Sequence, residues 1–272
     1  MSESLTISDR GAIRHLQMTG VPRRGNPLSR ALTLELRDAV RAAEADDQVS
    51  VIVLSGTETH FSVGADLKEL HLMSAAGAVL AGWLGEFDQL AQAAKPMIAA
   101  IRGHAVGGGL ELALACDMIV CADDASLSLP ETGIGLIAGQ GGSQRLIQLA
   151  GRAVAADMIL TGRIVGGAEA VALGIAARSA PAERLVDEAH AVAERIAARS
   201  PAAIRFAREV LREAGEGHLR QSMRIERPSG RPCSRHRRTQ ASRRRVSGET
   251  GFLRGDASRF AHTDAHSSAV LQ

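Results

Sequence analysis

Glu111 is the only charged residue between Arg102 and Asp117, and it sits in the apolar run 110–115 behind the glycine-rich stretch 103–109. A carboxylate there is either a first-turn acid favoured by the helix dipole, worth about 0.3–1 kcal/mol, or a group that moves protons. A second carboxylate, Glu131, follows Pro130 and opens a glycine-dense loop that runs to Gly142. Pro followed by Glu is also an ordinary helix start. Two carboxylates beside glycine turns can share one water, one acting as base while the other handles the proton at carbon.

Two glycine-rich turns, 61–67 and 103–111, could present backbone N–H groups to an anion. Unpaired N–H groups of this kind are the raw material of an oxyanion hole. A turn packed closely on a helix also needs glycine for steric reasons, so each turn carries both readings.

These groups need a scaffold. Residues 5–8 and 12–18 pattern as a strand pair joined at Asp9, Arg10 and Gly11. Ser29 can cap a helix whose Leu32, Leu36, Val40 and Ala43 recur at helical spacing, ended by Asp46 and Asp47. The runs 49–54, 97–101 and 118–121 are apolar apart from Ser50, as strands covered on both faces are. Between them lie an amphipathic helix over 74–94, carried by Leu80, Leu84, Phe87, Leu90 and Ala94 and closed by Lys95 and Pro96, and a glycine-opened helix over 107–115. The alternation predicts an α/β fold with a parallel sheet wound by helices. Beyond Gly141 the pattern is mainly helical, over 145–150, 153–160, 182–198 and 201–213, and reads as a helical appendage.

Composition narrows the function. The chain of 272 residues is 45% hydrophobic and 2% aromatic, with no Tyr and the single Trp83. A base-stacking platform and an Ig-like sandwich are thereby disfavoured. No apolar stretch reaches membrane-spanning length and residues 1–4 do not resemble a signal peptide, so a cytoplasmic protein with no membrane partner is expected. Cys116, Cys121 and Cys233 form no CxxC and have no nearby His pair, so neither a disulfide framework nor a zinc site is expected, and Cys116 and Cys121 read as buried thiols. The chain has no GxxxxGK[ST] loop, GxSxG elbow or HExxH motif, and glycines 103–109 do not spell GxGxxG.

The net charge of +2 conceals an asymmetry, because residues 224–272 hold 11 Arg, no Lys and 4 acids, a local net of +7. Large apolar residues are sparse there, and the segment reads as disordered or as translated out of frame after Glu226. A basic tail could touch nucleic acid, but its arginines follow no known basic motif, and nucleic acid is not an expected partner.

The stretches FSVGADL (61–67), KPMIAAIRGHAVGGGLELALA (95–115) and PETGIGLIAGQGGSQRL (130–146), with 117–122 and the residues around Leu160, Thr161, Gly162 and 168–175, resemble the enoyl-CoA hydratase branch of the crotonase superfamily. The resemblance covers roughly residues 5–225. It implies a crotonase-like fold, a repeated ββα spiral with a C-terminal helical region: a core over 1–200, the start of a helical trimerisation region over 201–226, and an atypical Arg/Ser-rich tail over 227–272. It further implies that the N–H groups of Ala65 and Gly108 bind a thioester carbonyl, and that Glu111 and Glu131 hold the water that adds to an enoyl-CoA. Arg23, Arg24, Val63, Ala65, Asp66, Leu67, Lys68 and Gly139 become candidates for contact with the acyl-CoA. No metal or redox cofactor is implied, coenzyme A being part of the substrate, and a homotrimer or hexamer is. His104, Gln140 and Arg145 are assigned to packing or loop support. The loop 136–140 departs from the family, which more often has a proline and a small residue there. The alternatives are another crotonase reaction, such as double-bond isomerisation, or a crotonase scaffold that binds nucleic acid through its tail.

Overall fold

Three five-residue runs rich in β-branched or small apolar side chains organise the computed structural model, which describes residues 4–20, 24–71 and 86–216. Strands β3 (Val51–Ser55), β5 (Met97–Ile101) and β7 (Met118–Ala122) lie side by side in parallel, and every residue of the first two is buried. Strands covered on both faces need no alternation. The antiparallel pair β1 (Leu5–Arg10) and β2 (Ile13–Met18) extends this sheet on one side. Its turn sits at Gly11, φ 60°, so Asp9 and Arg10 belong to the first strand and not to the connection.

A second, smaller sheet takes strands of two or three residues: β4 (His60–Ser62), β6 (His104–Val106), β8 (Ser126–Ser128) and β9 (Val165–Gly166). Each long central strand is followed by a short one in this second sheet and then by helix. After β4 come α2 (Leu67–His71) and α3 (Glu86–Ala91), and after β6 comes α4 (Gly108–Leu114). After β8 come a 3-10 turn (Glu131–Ile134) and α5 (Gly142–Thr161). This is the repeated ββα spiral that the resemblance implied. Helix α1 (Arg30–Ala45), capped by Ser29 Oγ on Leu32 N at 3.2 Å, buries Leu32, Leu36, Val40 and Ala43 and ends at Asp46.

The second half is more than a helical appendage. Beyond α6 (Gly167–Ala172), β10 (Arg178–Ala180) pairs in parallel with β7 and completes a main sheet ordered β1-β2-β3-β5-β7-β10, while β9 closes the small sheet. These strands are too short and too polar to show a period in the sequence. Helix α5 is broken at Gly151, φ 78°, which separates the two helical patterns at 145–150 and 153–160. The helix over 74–94 is described only from Glu86 and ends at Ala91, ahead of Ala94. Residues 72–85, Arg23, and everything after Glu216, including Cys233 and the basic tail, lie outside the described residues.

Two polar devices fasten the last helices, α7 (Leu185–Ala197) and α8 (Pro201–Glu216), to the sheet. The buried Arg208 on α8 pairs with Asp117 (Nε to Oδ1 2.6 Å) and donates to the carbonyls of Ala91 and Ala93, and Asp117 Oδ2 accepts from Met97 N at 2.8 Å. Only the arginine is buried, Asp117 being exposed. Inside α7, His190 Nε2 lies 3.4 Å from His15 Nδ1, and His15 Nε2 lies 2.8 Å from Ser55 Oγ. The chain of contacts thus joins α7 to β2 and β3. Cys121 is buried and Cys116 half-buried, both as free thiols, and burial pushes each up to about 12.

The histidine pair makes folding sensitive to acid. Burial, with His190 beside it, lowers His15 to about 4, and burial followed by Arg10 lowers His190 against the opposing pull of Glu194 and Asp187. A depressed histidine binds fewer protons folded than unfolded, so its contribution is complete above the unfolded value near 6.5 and is lost as pH falls toward 4. Urea unfolding should therefore show stability declining between those limits, with a shallower decline in His15→Gln. Identical pH slopes in the two proteins would exclude the pair as the cause.

Candidate active site

The first glycine turn leaves a backbone donor without a partner. Beyond β4 the chain reverses at Gly64, φ 87°, and Leu28 brackets the turn: Leu28 N donates to Gly64 O at 2.8 Å, and Asp66 N to Leu28 O at 3.3 Å. Those bonds occupy the groups on either side of Ala65, whose N–H finds no acceptor among the described residues. The buried Asn26 and Ser62 hold the turn in place. Asn26 Nδ2 donates to Phe61 O at 2.8 Å, Ser62 Oγ donates to Asn26 O at 2.8 Å, and Ser62 Oγ accepts from Gly64 N at 3.1 Å.

The second turn repeats the arrangement beside the first. Gly107, φ 55°, donates to Ser128 O at 2.9 Å and accepts from Glu111 N at 3.0 Å, which starts α4. Gly108 is the first residue of that helix, and its N–H also has no acceptor among the described residues, as first-turn amides do. The two turns touch through backbone. A Cβ on Gly64 would lie 2.8 Å from Gly108 N, and one on Gly109 would lie 2.2 Å from Ser62 O. Gly108 differs, since its Cβ would meet Ala65 N at 3.4 Å, close to an ordinary contact.

Glu111 lies on the first turn of α4 and is 3% exposed. Its Oε1 accepts from Gln140 N at 2.7 Å and Gly142 N at 2.9 Å. Arg145 Nη1 donates to Gln140 O at 2.7 Å, so Arg145 and Gln140 act in loop support as expected. Glu131 opens the 3-10 turn, with Oε1 3.1 Å from the position a Gly107 Cβ would take and Oε2 buried without a partner among the described residues. Burial raises the Glu131 carboxyl above its ordinary value, opposed by its own backbone N–H, and the charge of Glu111 raises it further. Two carboxyls in unlike surroundings thus lie next to two unpartnered N–H groups, an arrangement suited to stabilising an enolate-like oxygen while protons move.

The sequence pattern described as enoyl-CoA hydratase/isomerase matches residues 11–252. The chain belongs to this family. Within it, the chain falls in the crotonase superfamily's hydratase branch: a probable enoyl-CoA hydratase of Rhizobium meliloti (strain 1021) is 40% identical over 225 residues, covering 83% of this chain and 87% of the relative. The 2,3-dehydroadipyl-CoA hydratase of Escherichia coli (strain K12) is 34% identical over 206 residues, covering 76% and 81%. The crystal structure of enoyl-CoA hydratase from Bacillus anthracis superposes with a TM-score of 0.85 at 30% identity, covering 90% of this chain and 96% of that one.

Family members bind acyl-CoA substrates, and the chain's candidates for that contact are unevenly placed. Val63, Leu67, Lys68 and Gly139 are exposed. Asp66 is buried, and its carboxylate is engaged by Arg24 (Nη2 to Oδ1 and Oδ2, both 3.0 Å) and by Lys68 N at 3.0 Å. Asp66 therefore caps α2 and orients Arg24 at the rim of the first turn. His104, assigned from sequence to packing or loop support, is exposed and lies beside His60. Asn26 and Ser62 escaped the sequence reading. The turn residues 25–27 (Gly, Asn, Pro) were visible, but nothing in them announces contacts with Phe61 and Ser62, some 35 positions away.

The environment of Glu131 carries a stability cost with a definite sign. A carboxyl whose folded pKa is raised stabilises the fold least where it must ionise, so stability is lost as pH rises above 4.5 through the folded value. Glu131→Gln should therefore raise the urea midpoint at pH 7 and leave it unchanged near pH 4. Equal midpoints at pH 7 would show that the buried carboxyl imposes no strain on the fold.

Proposed function

We propose that the protein is an enoyl-CoA hydratase that adds water across a trans-2-enoyl-CoA to give a 3-hydroxyacyl-CoA. The observation that carries this reading is the pair of unpartnered N–H groups at Ala65 and Gly108 beside two carboxyls in different surroundings. The thioester oxygen sits on the two donors, which take up negative charge as water attacks the β-carbon. Glu111, its rotamer fixed by two N–H donors on Oε1, accepts the proton from that water. Glu131, its carboxyl pushed up by burial, delivers a proton to the α-carbon. The two protons balance, one gained at Glu111 and one given up at Glu131. The reaction calls for no cofactor beyond the coenzyme A of the substrate.

The presence of both glutamates favours hydration over isomerisation, for which one carboxylate suffices. The names of the hydratase relatives support the same choice. The reading includes a homotrimer or hexamer acting in the cytoplasm on acyl chains in fatty-acid degradation. Exposed apolar side chains at Leu160 and Leu211 support assembly, and no described helix is long and apolar enough to cross a membrane.

Hydration of crotonyl-CoA, followed as loss of the conjugated thioester absorbance, tests the assignment. Glu111→Gln should lower kcat by about 10²–10⁴-fold, and unchanged hydration would refute it as the base. Gly108→Ala should lower kcat by about 10²–10³-fold because its methyl covers Ala65 N–H. Its thermal midpoint should stay close to that of the parent, since the new Cβ meets no atom closer than 3.4 Å. Full activity in Gly108→Ala would move the oxyanion site elsewhere.

A further inference from the structure

His60 and His104 have no part in the proposed reaction, yet they are held together with care. They are register partners at the starts of the adjacent parallel strands β4 and β6, on the same face, with ring centroids 5.1 Å apart and planes tilted by 40°. His104 is exposed and His60 half-buried. Thr59 ties both: its carbonyl accepts from His104 N at 3.2 Å, and its Oγ1 lies 3.0 Å from His60 Nδ1. With Nδ1 occupied by that hydroxyl, His60 keeps Nε2 for another partner, the orientation in which a second hydrogen bond fixes a metal-ligating imidazole. The backbone beneath is rigid. Thr57 closes the turn onto His60 (Thr57 N to His60 O 2.9 Å, His60 N to Thr57 Oγ1 3.2 Å). Gly103 passes so near that a Cβ would fall 1.8 Å from Thr59 O.

We propose that His60 and His104 form a two-imidazole binding site for a divalent transition cation of the Zn²⁺, Ni²⁺ and Cu²⁺ class. Imidazole nitrogen selects these ions over Mg²⁺ and Ca²⁺, which take oxygen ligands. Among the described residues no group of three or more His, Cys, Asp or Glu side chains could hold a metal, so solvent fills the remaining positions. The site shares a scaffold with the proposed donors. From His60 the chain reaches Ala65, and from His104 it reaches Gly108, each through one short strand and one turn. A bound cation therefore cross-links the two strands that carry the donors.

Titration calorimetry of the full chain with Ni²⁺, with Mg²⁺ as control, reads the site directly. The parent should bind one more equivalent of Ni²⁺ than His60→Ala or His104→Ala, and none of the three should take up Mg²⁺. Histidines elsewhere in the chain remain in every variant, so the difference isolates the pair. Chelation requires that the double substitution lose no more than either single one. A larger loss in the double variant would mean two independent imidazoles and would overturn the proposal, as would single variants that titrate like the parent. Substoichiometric Cu²⁺ should broaden the amide resonances of Thr59, His60, Gly103 and His104 first, and broadening elsewhere alone would place the ion at another site. Crotonyl-CoA hydration serves as the check on folding, and both single variants should retain it in the absence of added metal.

Discussion

The structure turns on a contact that contains no side chains. The turn after β4 and the start of α4 are pressed together so closely that Gly64 and Gly109 leave no room for a Cβ between them. That proximity puts the Ala65 and Gly108 amides side by side, and neither amide is satisfied within the described chain. A buried or semi-buried N–H without a partner is costly, and the fold tolerates two. The surrounding hydrogen bonds explain how: Leu28 brackets Ala65, Asn26 and Ser62 fix the turn from below, and Ser128 receives the N–H of Gly107. The ββα repeat supplies the geometry, since a glycine turn follows each of the adjacent short strands β4 and β6 and the strand pairing sets the two turns next to each other.

On that base, two identical carboxyl groups acquire different characters. Glu111 is one helical turn past the donor amide, and two loop amides converge on one of its oxygens. Glu131 enters from the next repeat, with one oxygen buried and unpartnered among the described residues and with the charge of Glu111 nearby. Burial and like charge act in the same direction on Glu131, which keeps a proton to higher pH than a free carboxyl does. The difference between the two arises from which backbone amides reach them, and Arg145 controls that by holding the carbonyl of Gln140.

Much of this was legible beforehand, for identifiable reasons. The apolar runs at 49–54, 97–101 and 118–121 announced the central strands because burial on both faces removes any need for polar residues. Glu111 stood out because it is a lone charge in an apolar helix. The strands β4, β6, β8 and β9 did not show, because two or three residues are too few to display a period of two, and β10 is Arg178, Ser179 and Ala180, with no β-branched side chain at all. The pairing of Arg24 with Asp66 and the placement of His104 beside His60 depend on contacts between distant segments. No local pattern encodes them.

The loop between the two glutamates shows where the site can vary without losing its chemistry. Both ends are tethered, one by Leu136 N on Glu131 O at 3.0 Å and the other by Gln140 N on Glu111 Oε1. The middle is not: Ile137 is 78% exposed, and with Ile134 of the 3-10 turn, 61% exposed, it forms an apolar surface with no covering element among the described residues. Substitutions of the Leu136, Ile137 and Ala138 side chains change shape and hydrophobicity while both backbone tethers stay, the one at Gln140 N still holding the Glu111 carboxylate. The donors, by contrast, depend on Gly64 and Gly109, whose replacement collides with backbone. The proposed chemistry thus rests on a fixed polar centre, and beside it lies an exposed apolar stretch whose side chains contribute no polar group to it.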